Sequence, residues 1–230
     1  MNRIDEKQRE PVRRRAPGRT GSFCDRKTLV VGVTGGVATG KTTVARMLED
    51  LGAKRLSADE IVHRLLQAGS NMWQQIVEEF QEEILDPHGL IDRKKLGDIV
   101  FQDPDKRRRL EGIIHPPVLE LLRAEIERFQ AECGGVLVVE IPLLVETAAF
   151  GLVDKILVAS AEQETQIGRL EKRYGIGRQE ALLRIRSQLP MAEKIRHADW
   201  VVSTEGTLLS TKRRVGRVWR EIQESLAPQL

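Results

Sequence analysis

At 230 residues, with 40% hydrophobic and 31% charged side chains, the chain is long enough to bury a sizeable core and too apolar to be disordered throughout. Its formal net charge is +3, yet residues 1–27 hold nine Lys/Arg against four Asp/Glu, which leaves the remainder at −2. The basic surplus therefore belongs to the tail, and the folded body has no nucleic-acid footprint in its charge.

In chain order the tail comes first. It lacks apolar periodicity and contains Pro11, Pro17, Gly18 and Gly21, so residues 1–27, including Arg13-Arg14-Arg15, read as a solvated, disordered extension. No apolar stretch follows Met1, and Asp5, Glu6 and Glu10 argue against an organelle transit peptide. No run of about 18 apolar residues spans a bilayer, so no membrane partner and a cytoplasmic location are expected. Cys24 and Cys133 have no metal-ligand or disulfide-framework spacing.

Residues 28–230 read as one domain. Thr28 to Val33 (TLVVGV) is a continuous β-branched run, as expected of a strand buried on both faces. A glycine turn follows, then a helix from Lys41 to Leu51, with Val44, Leu48 and Leu51 on one face and Gly52 as its stop. Ala53 to Leu56, Val136 to Val139, Ile156 to Ala159 and Trp200 to Val202 read as four further strands separated by helices. Such alternation predicts an α/β fold with a five-stranded parallel sheet flanked by helices. The strand-free interval of about 60–132 reads as a helical insertion suited to binding an acceptor. Within it Asp103-Pro104 starts one helix, and His115-Pro116-Pro117 opens another with Val118, Leu121, Leu122, Ile126 and Phe129 on one face. The interval of about 161–197 is helical and rich in Lys and Arg; it is either a solvated basic helix pair or a lid over a nucleotide.

Gly35-Gly36-Val37-Ala38-Thr39-Gly40-Lys41-Thr42 satisfies G-x-x-x-x-G-K-[ST], and it lies between a predicted strand and a predicted helix, as that motif requires. Its glycines let the backbone wrap phosphates, so that N–H groups and the helix N-terminus face negative charge. In such a loop Lys41 reaches the β- and γ-phosphates of ATP and the Thr42 hydroxyl holds Mg²⁺. Asp59 follows the second strand, at the carboxyl edge where a doubly wound sheet binds its ligand. There it either receives the proton of an attacking hydroxyl or caps the helix beginning near Glu60. Glu140 ends the third strand, near the place of a metal-associated acid, although a surface glutamate is the plainer reading. His115 either orients an acceptor or is structural. A guanine-reading N-K-x-D is absent, and Asp86-Pro87-His88-Gly89 reads as a turn, which excludes a GTPase.

With these pieces in place, the chain resembles the dephospho-coenzyme A kinase family. The resemblance rests on Val33-Thr34-Gly35-Gly36 with Gly40-Lys41-Thr42-Thr43-Val44-Ala45, then Ala58-Asp59, His115-Pro116 and Pro142-Leu143-Leu144-Val145-Glu146. Gln166 with Arg169 and Arg173, Gln188, and Ala198-Asp199 ahead of Gly206 complete it, covering about residues 29–210. It implies a P-loop kinase fold with a helical substrate subdomain and a lid. The implied reaction is transfer of the ATP γ-phosphoryl group to the ribose 3′-hydroxyl of dephospho-coenzyme A. It also implies Asp59 as base, Arg169 and Arg173 as lid arginines, loop residues Gly35 to Thr43 on ATP, and His115, Pro142, Leu143 and Glu146 on the acceptor side.

Three positions depart from the family's pattern. Ala38 stands where Gly is common and is expected to fit only with a negative φ. Ser57 replaces a common Asp, and Thr204 replaces an Asn associated with adenine. Two other readings differ in their tests: a nucleoside or nucleotide kinase with another acceptor, and a nucleotide-binding module that does no chemistry. The expected assembly is a monomer or weak homo-oligomer.

Overall fold

Successive side chains of a strand point to opposite faces, so an apolar run buries both only if helices cover both. The computed structural model describes residues 28–132 and 134–226; the basic tail expected over 1–27, and both cysteines, lie outside them. Five strands, β1 (Thr28–Gly35), β2 (Lys54–Ser57), β3 (Gly135–Glu140), β4 (Lys155–Ser160) and β5 (Trp200–Ser203), form one parallel sheet in the order β2-β3-β1-β4-β5. Each is the strand the sequence predicts, with ends moved by one or two residues. Leu137, Val139, Ile156 and Val158 pack on one face, whereas Val31, Val33, Val136, Val138 and Leu157 pack on the other. Each fully buried Val or Leu is worth about 1.5–3 kcal/mol relative to exposure.

The second face is covered by α1 (Lys41–Asp50), through Val44, Ala45 and Leu48, and by α9 (Leu208–Leu226), through Val215, Val218 and Ile222. Gly52, at φ 112°, turns the chain out of α1 as expected. The first face is covered by α2 (Ala58–Leu65), α3 (Asn71–Phe80), α4 (Arg93–Gln102) and α5 (Pro104–Glu132). These four helices fill the predicted insertion. Asp103 caps α5 through hydrogen bonds from the Asp105 and Lys106 N–H groups. Asp86 accepts from the His88 and Leu90 N–H groups and so builds the turn read from its sequence.

One expectation about the insertion is corrected. His115-Pro116-Pro117 does not open a helix; both prolines lie inside the 29-residue α5. An interior proline removes a hydrogen bond and costs about 3 kcal/mol. The apolar row outweighs that: Leu110, Ile113 and Ile114 pack on the same cluster as Val118, Leu122, Ile126 and Phe129, so burial continues across the prolines.

The basic interval comprises α6 (Gln163–Tyr174), α7 (Arg178–Arg186) and the short α8 (Met191–Arg196). Register then sets the site. Val33 of β1 and Ser57 of β2 both pair with Glu140 of β3, so the segments leaving these three strands emerge side by side at the carboxyl edge. Among the described residues no helix is long and apolar enough to cross a membrane.

Candidate active site

The loop after β1 is shaped by glycine where nothing else fits. A Cβ on Gly35 would stand 2.3 Å from the Ala159 carbonyl oxygen, and Gly40 enters α1 at φ 84°. Ala38 contradicts its expectation: it sits at φ 57°, in the left-handed region, although it carries a Cβ. Its surroundings hold it there. Arg169 Nη1 donates to the Ala38 carbonyl at 3.1 Å, and the side chain packs on the cluster of Ile167, Leu170 and Ala181. The buried Thr39 hydroxyl donates to the Gly36 carbonyl at 2.9 Å, closing the loop on itself.

Lys41 Nζ also donates to the Gly36 carbonyl, at 2.9 Å. Burial pushes its ammonium below the ordinary lysine range, opposed first by the negative charge of Glu140. Lys194 pushes the same way as burial, while Asp59 and Glu146 oppose it. Loss of water therefore disfavours this cation, and an anion on the loop would favour its charged form.

The Thr42 hydroxyl donates to Glu140 Oε1 at 2.5 Å. Glu140 is not the surface glutamate that its strand-end position suggested; it is 2% exposed, because the parallel register seats it between β1 and β2. Its Oε2 is buried without a hydrogen bond, 3.6 Å from the Arg55 guanidinium. A hydroxyl and a carboxylate with an unused oxygen suit a hard cation that draws its remaining ligands from phosphates and water, as Mg²⁺ does. Among the described residues no group of three or more His, Cys, Asp or Glu forms a metal cage of its own.

Ser57, not Asp59, is the N-cap of α2, its hydroxyl accepting from the Glu60 N–H at 3.4 Å. Asp59 stands at the second helical position, where its exposed side chain lines a pocket of about 190 Å³. His115, Pro142 and Leu143 line the same pocket, with Val62, Val118 and Leu122. Three of the four residues expected at the acceptor side thus meet the expected base, Asp59, in one largely apolar cavity. The Thr34 hydroxyl ties its wall to β1 by donating to the Pro142 carbonyl at 3.1 Å.

Other expected residues lie elsewhere. Glu146 faces the basic segment, where Oε1 accepts from the Lys194 ammonium and from the Leu189 N–H at 3.4 Å. Arg169 braces the loop against β5, donating to the Thr204 hydroxyl at 2.9 Å and to its carbonyl at 2.8 Å as well as to Ala38. Arg173 is exposed and lies against the Tyr174 ring, 5.3 Å from its centroid. Thr204, where an adenine contact is in question, instead donates its hydroxyl to the Thr39 carbonyl at 2.7 Å. Val37 gives its N–H to Gln188 Oε1 at 2.8 Å, and Thr43 is exposed on the first turn of α1. Arg55 and Lys194 were not singled out in the sequence. Each looks like an ordinary surface cation there, and only the fold supplies its carboxylate partner.

Comparison with known proteins supplies the family. The dephospho-CoA kinase family model matches residues 29–210. A Geobacter metallireducens protein named dephospho-CoA kinase is 44% identical over 193 residues, covering 84% of this chain and 96% of that protein. A crystal structure of TT1252 from Thermus thermophilus superposes with TM-score 0.72 at 31% identity, over 88% of this chain and all of that one. A dephospho-CoA kinase from Campylobacter jejuni superposes with TM-score 0.57 at 26% identity, over 85% and 97% of the two chains. With its P-loop, its parallel sheet and a match over most of its length, the chain belongs to the dephospho-CoA kinase family.

Proposed function

We propose that the chain transfers the γ-phosphoryl group of ATP to the ribose 3′-hydroxyl of dephospho-coenzyme A, giving ADP and coenzyme A, the final step of coenzyme A synthesis. The observation that carries this reading is the placement of Asp59, His115, Pro142 and Leu143 around one pocket, near enough to Lys41 for Asp59 to act on its charge.

The loop residues Gly35, Gly36, Val37, Ala38, Thr39, Gly40, Lys41, Thr42 and Thr43 hold ATP through backbone N–H groups, the α1 N-terminus and the Lys41 ammonium. Thr42 and Glu140 would hold Mg²⁺, which would supply charge neutralisation to the phosphates of ATP. The Asp59 carboxylate orients the 3′-hydroxyl and takes its proton as the oxygen–phosphorus bond forms and the bond to the β-phosphate oxygen breaks. His115 with Pro142 and Leu143 seats the acceptor, and Glu146 supports that wall from behind. Arg169 brings positive charge to the loop while bracing it. Closure of the lid, α6 to α8, turns Arg173 inward and excludes water, whose attack would waste ATP.

A cytoplasmic location and a monomer or weak homo-oligomer belong to the same reading, with ATP and dephospho-coenzyme A as partners and neither nucleic acid nor membrane. A panel of acceptors compared by kcat/KM tests it. Dephospho-coenzyme A should exceed adenosine, AMP and simple alcohols by orders of magnitude. A nucleoside or nucleotide preferred to it would overturn the acceptor assignment, and ATP binding without transfer to any acceptor would overturn the enzyme.

A further inference from the structure

The wall of the acceptor pocket and the phosphate loop are joined by one run of contacts. Residues 142–147 run along the pocket, lined by Pro142, Leu143 and Thr147, and among them Glu146 turns to the basic segment, where its Oε1 accepts from Lys194 and from the Leu189 N–H. These two donors bracket residues 189–194. Immediately before that segment Gln188 accepts the Val37 N–H of the loop, and within it the Met191 methyl lies 3.2 Å from where a Cβ on Gly36 would stand. One carboxylate on the acceptor side therefore grips the stretch of chain that bears on the loop.

The Lys194 side chain is 0% exposed. An ion pair with an enclosed member is seldom the most stable filling for its volume, since the enclosed charge loses its water and an apolar replacement serves stability as well. The pair is also incompletely satisfied, because Glu146 Oε2 is buried without a hydrogen bond. In addition Lys194 stands close enough to Lys41 for the two cations to repel each other. A triphosphate on the loop would neutralise Lys41 and relieve that repulsion, so the energy of the pair depends on what the loop holds.

We propose that the Glu146–Lys194 pair is a latch that couples occupancy of the acceptor pocket to occupancy of the phosphate loop. This rests on the acceptor assigned above. Lys194 is a positioning residue, enclosed by protein and acting through Glu146, Gln188 and Met191.

The test is the binding of a non-hydrolysable ATP analogue to the whole chain, with and without saturating dephospho-coenzyme A. In the wild type the acceptor should tighten the analogue at least about fivefold. Lys194→Met should bind the analogue alone within about threefold of wild type, yet lose that tightening, with a raised KM for dephospho-coenzyme A and a lowered kcat. Lys194→Arg should recover most of the coupling, which a role in packing alone does not predict. Glu146→Gln, which keeps the shape of the site, should reproduce the loss and serves if Lys194→Met fails to fold. Undiminished coupling in either folded variant overturns the latch, as does failure of both to fold, which would make the pair structural. Turnover of dephospho-coenzyme A by a wild type that shows no coupling overturns the latch alone; absence of turnover overturns the acceptor.

Discussion

Ser57 caps α2, which leaves the Asp59 carboxylate on the pocket wall beside His115. If Asp59 takes the hydroxyl proton, Asp59→Asn should lower kcat by about 10²- to 10⁴-fold with the ATP Kd unchanged, as steady-state kinetics and equilibrium binding would show. Near-full activity with dephospho-coenzyme A refutes the base. Arg169 makes three hydrogen bonds, to Ala38 and Thr204, so Arg169→Ala should weaken ATP binding about tenfold as well as lowering kcat. A fall in kcat alone would mean that it acts only on charge in the transition state. At Ala38 a side chain at positive φ costs about 1–2 kcal/mol, and the extra backbone freedom of Gly offsets roughly 0.5–1 kcal/mol of any relief. Ala38→Gly should therefore unfold within about 1 kcal/mol of wild type and bind ATP equally well, whereas β-branched Ala38→Val should be destabilised by about 1–3 kcal/mol. A strongly destabilised Ala38→Gly would show that the Cβ contact matters more than the strain.

Helix α6 is capped from outside its own sequence. Glu205, in the segment between β5 and α9, accepts from the Glu162 N–H at 2.8 Å and from the Thr165 hydroxyl at 2.8 Å. The Glu162 N–H, then the Thr165 hydroxyl, hold the Glu205 carboxyl below the usual value of 4.5. A folded pKa below the unfolded one gives stability that is full above the usual carboxylate range and lost as pH falls through the folded value. Glu205→Gln should thus flatten the decline in Tm between about pH 5 and about pH 3; an unaltered decline would place the acid sensitivity elsewhere. Long-range caps of this kind are invisible to a reading that looks for Ser, Thr or Asp next to the helix start. The same limit explains α5. Two prolines are a strong local stop signal, and only the continuous apolar row from Leu110 to Phe129, packed on one cluster, overrides it.

At the scale of the molecule, the phosphate loop, Glu140 and the acceptor pocket share one edge of one sheet, while Arg173 stands exposed apart from it. The strands were legible because both faces of the sheet are covered, which turns each strand into an unbroken apolar run. The phosphate loop was legible because its chemistry is written in eight consecutive residues. Asp59 and His115 could be named from the local pattern, but only the family resemblance gave them roles, since nothing local says that they share a pocket. Arg55 and Lys194 were opaque, and Glu140 read more plainly as a surface glutamate than as a metal-associated acid, for a related reason. A charged residue reads as exposed until a partner distant in sequence is brought to it, as Glu146 is to Lys194 across 48 positions. The central claim is which hydroxyl receives the phosphoryl group. Incubating the purified protein with γ-labelled ATP, Mg²⁺ and dephospho-coenzyme A, and locating the label by mass spectrometry and phosphorus NMR, tests it most directly. ADP should form in stoichiometric amount with a label at the ribose 3′ position that Lys41→Ala fails to deliver; label released as inorganic phosphate, or placed on any other hydroxyl, would overturn the assignment.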